Sequence, residues 1–282
     1  MFRNQYDQDV VTWSPQGRIH QIEYAMEAVK QGSAVVGLKS KTHVVLASIK
    51  RTSAELGAFQ RKLFKIDDHV GIGASGLISD GRSISRFLRN ECLSHRFVFE
   101  QPIQVSRLVR DLADRAQVAT QRSWKRPYGV GILSAGYDKT GSHLYYNCPS
   151  GAYYDYKAMA IGARSQAAKT YLERNFEEFA GADVDALLQH SLKALSASVT
   201  EDELSADNTA VALVGQGTPF TILEGDALKP YLAALKADED VPPPGDGEGE
   251  MAEATDAAAS AGEPAAPEEG APAAEGPAPM ED

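Results

Sequence analysis

A glycine-rich segment is the first place in this sequence that could support recognisable chemistry. Residues 71–76 fit the GxGxxG spacing, which cradles the pyrophosphate of a dinucleotide. That fingerprint should open the first strand–helix–strand unit of its fold, whereas two predicted strands and a helix precede it here. Residues 97–100 are the candidate for the following strand, but Pro102 and another predicted helix come next. We interpret the segment as a tight strand-to-helix turn, and NAD binding would reveal the alternative, a Rossmann-type oxidoreductase.

Other reactive side chains show no spacing typical of a metal or cofactor site. The six histidines are scattered along the chain: His20, His43, His69, His95, His143 and His190. We therefore expect no metal and no cofactor. Cys92 and Cys148 form no CxxC motif, which favours a reducing compartment. Residues 122–126 mix basic and aromatic side chains, but the segment is too short to indicate a nucleic-acid partner.

The negative charge of the chain is concentrated near its end. The 282 residues carry a net charge of −11, and residues 237–282 hold 14 Asp or Glu with no Lys or Arg. Residues 1–236 hold 25 acidic and 28 basic side chains and are nearly neutral. The tail is built from Ala, Glu, Pro, Gly and Asp, so it cannot bury enough apolar surface to offset its ordering entropy. We predict a folded domain over 1–236 and a disordered acidic tail over 237–282, which is either a solubilising spacer or a docking or phosphorylation segment.

The sequence also predicts where the protein resides. No apolar run approaches the roughly 20 residues that a membrane-spanning helix needs, and the first residues lack an apolar signal core. We therefore expect no membrane association, and a location in the cytoplasm and nucleus.

Short hairpins and helices alternate in groups along residues 1–236. Predicted strands cover 34–38, 44–49, 69–74, 130–135, 143–146, 152–156, 159–161, 209–214 and 220–223, with those between 130 and 161 forming one meander. Predicted helices cover 77–93, 105–116, 168–179, 184–199 and 226–235. Connections of two to four residues imply antiparallel pairing, because parallel strands need longer crossovers. The pattern predicts an α+β layered sandwich.

One amphipathic helix precedes the sandwich. Its predicted apolar stripe consists of Ile19, Ile22, Met26 and Val29 on a helix over 17–30. Ser14 and Pro15 suit its start, since Ser caps helices and Pro fits the first turn. The stripe needs a surface to cover, which is either the chain's own sheet or a neighbouring subunit.

A set of short motifs recurs at fixed spacing along the chain: Tyr6-Asp7, Trp13 to Ile19, Gln21 to Ala25, Gly32-Ser33, Ile66-Asp67, Ser75 to Leu77, Asp80, Arg126 to Val130 and Ile161-Gly162. This set resembles the signature of proteasome α subunits. The resemblance covers residues 1–236. It implies a four-layer αββα sandwich of the N-terminal-nucleophile hydrolase type, with the extra N-terminal helix in front.

The resemblance also implies a non-catalytic role in a large assembly. In this family seven different α subunits form a ring, and two such rings cap two β rings that hold the catalytic threonines. The expected partners are therefore other α subunits, β-ring subunits, and the C-terminal tails of the regulatory particle and other activators. The implied process is ATP- and ubiquitin-dependent protein degradation.

Four residues of segment 1–32 match the family's gate-ordering cluster, namely Tyr6, Asp7, Pro15 and Tyr24. A carboxylate between two phenol hydroxyls can accept hydrogen bonds from both, and proline stiffens the turn beneath them. Such a cluster could hold an extended segment in two alternative positions, as a gate requires. The alternative is a local capping cluster without a gating role. Gln8 stands where the family commonly has Arg, so a salt bridge from that Arg would be missing here.

Lys62 and Gly32 match the family's pocket for activator carboxylates, where an ammonium is a suitable partner. The alternative for Lys62 is a solvated surface lysine. Ser33 occupies the position of the β-type catalytic threonine, whose free α-amine must serve as the base. Thirty-two residues precede Ser33, and Ile49 stands where β subunits keep an acidic partner. We expect no catalytic residue, although a rival interpretation, an active hydrolase using Ser33, would be revealed by N-terminal sequencing.

Overall fold

Ten strands form two five-stranded antiparallel sheets in the computed structural model, which describes residues 5–52, 56–199 and 203–239. The strands are β1 (Val35–Lys39), β2 (His43–Ile49), β3 (Leu63–Asp67), β4 (Val70–Gly76), β5 (Val130–Asp138), β6 (Gly141–Asn147), β7 (Tyr153–Asp155), β8 (Ala158–Ile161), β9 (Thr209–Gly215) and β10 (Thr218–Glu224). The first sheet has the order β10-β9-β2-β1-β8, and the second has the order β3-β4-β5-β6-β7.

Six helices of the described residues pack on the two sheets or on one another. They are α1 (His20–Gln31), α2 (Ile78–Phe99), α3 (Val105–Ala119), α4 (Ser165–Phe179), α5 (Val184–Ser196) and α6 (Lys229–Glu239), the last preceded by a 3₁₀ turn over Gly225–Leu228. Helices α2 and α3 pack on the second sheet, and α4 and α5 pack on the first. The order of layers is therefore helices, sheet, sheet, helices, and the predicted αββα sandwich is confirmed.

The central strands are unbroken apolar runs because both of their faces are buried. On β2, Val44 and Leu46 face the second sheet, whereas Val45 and Ala47 face the helices of the first. The inner core continues through Leu133 and other apolar residues of β5 and β6. This two-sided burial explains why alternation between apolar and polar residues is absent from β1, β2 and β9.

Several elements differ from the sequence-based expectation. Strand β3 is an element that the sequence analysis missed. Strand β8 does not extend the predicted meander but pairs with β1 in the other sheet, with Ile161 opposite Val35. Helix α2 continues through Phe99 and ends at Glu100 in the left-handed conformation, with φ of 54°. Residues 97–100 therefore form no strand, and β4, with its GxGxxG segment, lies between antiparallel neighbours β3 and β5. This topology is not that of a dinucleotide-binding unit.

Helix α1 begins later than predicted, at His20. Ser14 does not cap it; its hydroxyl accepts a hydrogen bond from Arg18 N (3.2 Å) inside the preceding turn. The helix packs against β4 and β5, and it buries Val29 there. Met26, another residue of the predicted stripe, is 41% exposed. The chain's own sheet therefore covers only part of the helix.

The predicted tail falls almost wholly outside the described residues, and 237–239 continue α6. The division of the chain at residue 236 stays a prediction. Within the described ranges, none of the helices combines the length and apolar character that a membrane crossing requires.

Candidate functional site

The segment that precedes α1 is held to that helix through a single aspartate. Tyr24, on the first turns of α1, donates its hydroxyl to Asp7 Oδ2 at 3.0 Å. Gln21, one turn earlier, donates its side-chain amide to the backbone oxygen of Asp7. The spacing of three residues places Gln21 and Tyr24 on the same face of the helix. Both the side chain and the backbone of Asp7 are therefore fixed to α1.

Tight turns shape the chain between Asp7 and α1. Asp9 accepts hydrogen bonds from the backbone of Val11 (2.9 Å) and from Thr12, whose hydroxyl lies at 2.8 Å. The Thr12 hydroxyl, followed by the Val11 amide, holds the pKa of Asp9 below its usual value, and these hydrogen bonds outweigh the opposing effect of burial. The Asp9 carboxylate is therefore ionised near neutral pH, and it keeps this turn closed.

A second turn contains Pro15. Gly17 N donates to Ser14 O at 2.9 Å, and Ser14 N donates to Arg18 O at 2.8 Å. Gly17 has φ of 74°, which a residue without Cβ adopts at little cost. Pro15 contributes a fixed φ to this turn, as the sequence analysis expected of it.

The structure brings together only part of the predicted gate cluster. Asp7 and Tyr24 are hydrogen-bonded, and Pro15 lies in the turn between them. Tyr6 is half-buried and makes no hydrogen bond with any residue that the structure describes. Gln21 is the contact that sequence reasoning missed, although it belongs to the signature that carried the resemblance.

Lys62 is buried, and it is not a solvated surface lysine. The residue is 3% exposed, and its backbone oxygen accepts a hydrogen bond from Ala74 N on β4 at 2.9 Å. Burial lowers the pKa of Lys62 to about 8, and the positive charge of Arg51 acts in the same direction. The described part of the chain supplies no strong counter-charge to this amine, so an added carboxylate would be stabilised there.

Gly32 lies where three segments of backbone cross. A Cβ at Gly32 would approach Gly76 N to 2.2 Å and Ser75 Oγ to 2.5 Å. Its backbone oxygen accepts a hydrogen bond from Ala163 N at 2.6 Å. Only glycine fits this crossing. Gly32 contacts the end of β4 at Ser75 and Gly76, next to the residue that is hydrogen-bonded to Lys62, so the two predicted pocket residues share one end of the sandwich.

Ser33 is arranged as a structural residue. Its hydroxyl donates to Ile49 O at 3.0 Å, and the residue is 4% exposed. Its nitrogen belongs to the peptide bond with Gly32, so it is not a free α-amine. At the position where β subunits keep an acidic partner, Ile49 supplies an apolar side chain and a backbone carbonyl. A carbonyl accepts a hydrogen bond from the Ser33 hydroxyl but is too weak a base to remove the hydroxyl proton.

Comparison with known proteins places this architecture in a family. A family model described as "Proteasome subunit" matches residues 29–214, and a second model, for the N-terminal signature of A-type proteasome subunits, matches residues 6–28. The chain is 54% identical over 243 residues to proteasome subunit α type-1 of Dictyostelium discoideum, covering 86% of this chain and 98% of that protein.

Two further relatives carry the same subunit name. Proteasome subunit α type-1 of Trypanosoma brucei rhodesiense is 48% identical, covering 88% of this chain and 94% of the relative. That of Drosophila melanogaster is 47% identical, covering 86% and 88%. The type-1 names agree with the subtype that Gln5, Trp13, Gln16 and the acidic tail indicate within the family.

The signature match covers the segment and helix that hold Asp7 and Tyr24 together, and the larger match covers the sandwich. The α-type subunits are the non-catalytic subunits of the core particle, in agreement with the geometry around Ser33. The chain belongs to the proteasome family and is one of its α-type subunits.

Proposed function

We propose that this α-ring subunit contributes to closing the axial pore through its N-terminal segment and to docking activators through Lys62 and Gly32. Its neighbours would be other α subunits on either side in a hetero-heptameric ring and β subunits below, within particles in the cytoplasm and nucleus. The observation that carries the gating role is the hydrogen bond of 3.0 Å between Tyr24 and Asp7. This bond joins the N-terminal segment, which would move during gating, to helix α1, which packs on the sandwich.

The strength of this attachment suits a gate. A hydrogen bond of this kind contributes roughly 1 kcal/mol net, and more when one partner is ionised. The Tyr24–Asp7 bond is solvent-exposed, so water can replace it when the segment moves. An attachment of one or two such bonds can favour one position without making the other inaccessible.

Replacing Tyr24 by Phe in the assembled particle tests the gating role. The change removes the hydroxyl that holds Asp7 and keeps the ring. Losing roughly 1 kcal/mol from the closed position would raise basal peptide hydrolysis by up to about fivefold. The measurement is the cleavage rate of a small fluorogenic peptide without activator. Glu27→Gln is the matched control, because Glu27 lies on the same helix and its recorded ion pair is with exposed Lys30. Equal hydrolysis by the Tyr24→Phe and unmodified particles would contradict the gating role.

The docking role rests on the buried amine of Lys62. With a pKa of about 8, Lys62 is mostly protonated at pH 7 and can pair with an activator's terminal carboxylate. Lys62→Ala should weaken docking at one cleft, and the overall effect will be small because several clefts act together. Site-specific cross-linking between an activator tail and this subunit measures that cleft directly. Cross-linking that is unaltered by Lys62→Ala would remove Lys62 from the docking site.

The assembly can be tested on the endogenous protein. Its native mass in cell extract, assayed together with peptide hydrolysis across the same fractions, should be many times that of one chain. Hydrolysis in those fractions should respond to threonine-directed inhibitors. A small species with no associated activity would contradict the proposed ring partners.

A further inference from the structure

A cavity of about 590 Å³ lies at one end of the first sheet, next to the start of α4. Its lining includes three basic residues, Lys50, Arg51 and Arg164. Asp207 is the acidic residue among the lining residues that the structure describes. A positive surplus of this kind in a concave site is typical of anion binding. The gate and docking residues discussed above do not line the cavity.

Lys50 is the buried member of the basic group. Its side chain is 9% exposed, yet the nearest carboxylate oxygen of the described residues, Glu224 Oε2, lies 3.7 Å from Nζ. That distance is too long for a hydrogen bond. The ammonium instead lies 5.9 Å from the ring centre of Phe59, which also lines the cavity. A buried ammonium without a hydrogen-bonded counter-charge is costly, and an anion at this place would satisfy it.

The two arginines are available to a ligand. Arg51 and Arg164 are both exposed, and neither side chain forms a hydrogen bond or ion pair with any residue of the described ranges. Arg164 adopts the left-handed conformation, with φ of 54°, directly before α4. This conformation is uncommon for arginine. It places the residue at the N-terminal end of a 15-residue helix that has no side-chain cap.

The charges favour a phosphate over a carboxylate. Among the lining residues that the structure describes, three cations against Asp207 leave a surplus of two positive charges. A phosphate monoester carries about −1.5 to −2 near neutral pH, whereas a single carboxylate carries −1. Glu224, which is not part of the lining, compensates Lys50 in part from 3.7 Å. The guanidinium forks of Arg51 and Arg164 can each bind two phosphate oxygens.

The remaining walls indicate a ligand with a flat apolar body. Phe59 is 39% exposed and offers an aromatic face, and Leu204 supplies an apolar side chain to the same cavity. The volume lies within the range of small-molecule sites. We propose that this cavity binds a phosphorylated small molecule of nucleoside-monophosphate size, with its phosphate on Lys50, Arg51 and Arg164 and its ring against Phe59.

Isothermal titration of the full-length chain with adenosine 5′-monophosphate at low salt tests the proposal. We expect saturable binding at one site, which Arg51→Gln and Arg164→Asn each weaken about tenfold and which weakens as salt is raised. Asparagine is chosen at 164 because it tolerates the left-handed conformation. Arg110→Gln is the matched control, since it removes an exposed arginine from α3, on the opposite side of the sandwich. Thermal denaturation establishes that each variant is folded.

The ligand arms separate the possible outcomes. Adenosine should not bind, inorganic phosphate should bind more weakly than the nucleotide, and a dicarboxylate such as succinate should bind more weakly than either. Equal weakening by Arg110→Gln would overturn the site, because it would show non-specific charge attraction. Succinate binding as tightly as the nucleotide would overturn the phosphate assignment, and adenosine binding alone would overturn the role of the cations. Photolabelling of the assembled particle with 8-azido-adenosine monophosphate should mark this chain, and Arg51→Gln should reduce the labelling.

Discussion

The ion pair between Asp80 and Arg126 provides the sharpest stability prediction. Arg126 donates to both oxygens of Asp80, at 2.7 and 2.8 Å, and Gly129 N donates to the same carboxylate at 3.0 Å. Asp80 lies in the first turn of α2, and Gly129 precedes β5. One buried carboxylate therefore fixes the loop before β5 to the start of α2. We expect Asp80→Asn to destabilise the chain without altering its shape.

The size of the effect follows from the exposure of the two partners. Hydrogen bonds to a charged group are worth about 1.5–3 kcal/mol. The Asp80 side chain is 10% exposed, but that of Arg126 is 62% exposed, so solvent screens the pair and the lower end of this range applies. On that basis the loss should be about 1.5–2 kcal/mol. For a domain of this size the melting temperature should fall by about 3–8 °C.

Thermal denaturation at pH 7, followed by circular dichroism, measures the change. Asp114→Asn is the matched control, because Asp114 is an exposed carboxylate on α3 with no partner among the described residues. It should leave the melting temperature within about 1 °C of the unmodified chain. An Asp80→Asn variant that melts together with this control would refute the reasoning.

The pH dependence supplies an independent check of the same carboxylate. Burial raises the pKa of Asp80, but the hydrogen bonds from Arg126 and Gly129 and the charge of Arg126 together outweigh it, and the pKa lies below 3.8. Because the pKa of Asp80 is depressed in the folded chain, the unfolded chain binds the proton more readily. The stabilisation is therefore present above the ordinary pKa of aspartate, and it is lost as the pH falls through the pKa of the folded state. The difference in stability between the unmodified chain and Asp80→Asn should therefore shrink below about pH 4. A difference that stays constant down to about pH 2 would show that the charge is irrelevant.

Two further predictions concern the residues assigned to docking. Gly32→Ala should lower the free energy of unfolding by about 1–3 kcal/mol, because the added methyl group would overpack against Gly76 even though the φ of −66° suits alanine. Gly181→Ala is the control, since Gly181 has open space around it and the change should not destabilise the chain. Equal melting temperatures for the two variants would contradict the crowding at Gly32. Lys62→Met should stabilise the isolated chain at pH 7 by up to about 3 kcal/mol, since the lowered pKa means that folding disfavours the protonated amine. That gain in stability should disappear as the pH rises from 8 to 10.5, because the folded chain loses the Lys62 proton in this range. Urea denaturation across the range measures the change, with Lys41→Met as the control at an exposed lysine.

The sequence predicted the strands whose signal is local. Strands β1, β2, β9 and β10 are β-branched runs joined by short turns, so both their type and their pairing could be inferred. Strand β3 was missed because Lys65 and Asp67 interrupt a run of five residues. The pairing of β8 with β1 could not be inferred, because it joins segments more than a hundred residues apart.

The site shows the same division between local and distant determinants. The contact between Asp7 and Tyr24 was anticipated because both residues belong to one short signature. The burial of Lys62 was not anticipated, since it depends on how β3 and β4 meet the crossing at Gly32. The start of α1 was placed too early because the Ser14 hydroxyl serves a turn as readily as a helix cap.

The passage from β7 to β8 has a consequence for how the whole body moves. The chain leaves one sheet at Asp155 and enters the other at Ala158, with only Tyr156 and Lys157 between them. Both linking residues are hydrogen-bonded through their backbones, Tyr156 N to Leu144 O at 2.8 Å and Lys39 N to Lys157 O at 3.0 Å. The two sheets are thus joined at this edge and cannot slide apart without breaking both ladders. A displacement of one sheet at this edge is therefore passed directly to the other sheet, through a link of two residues that both ladders hold in place.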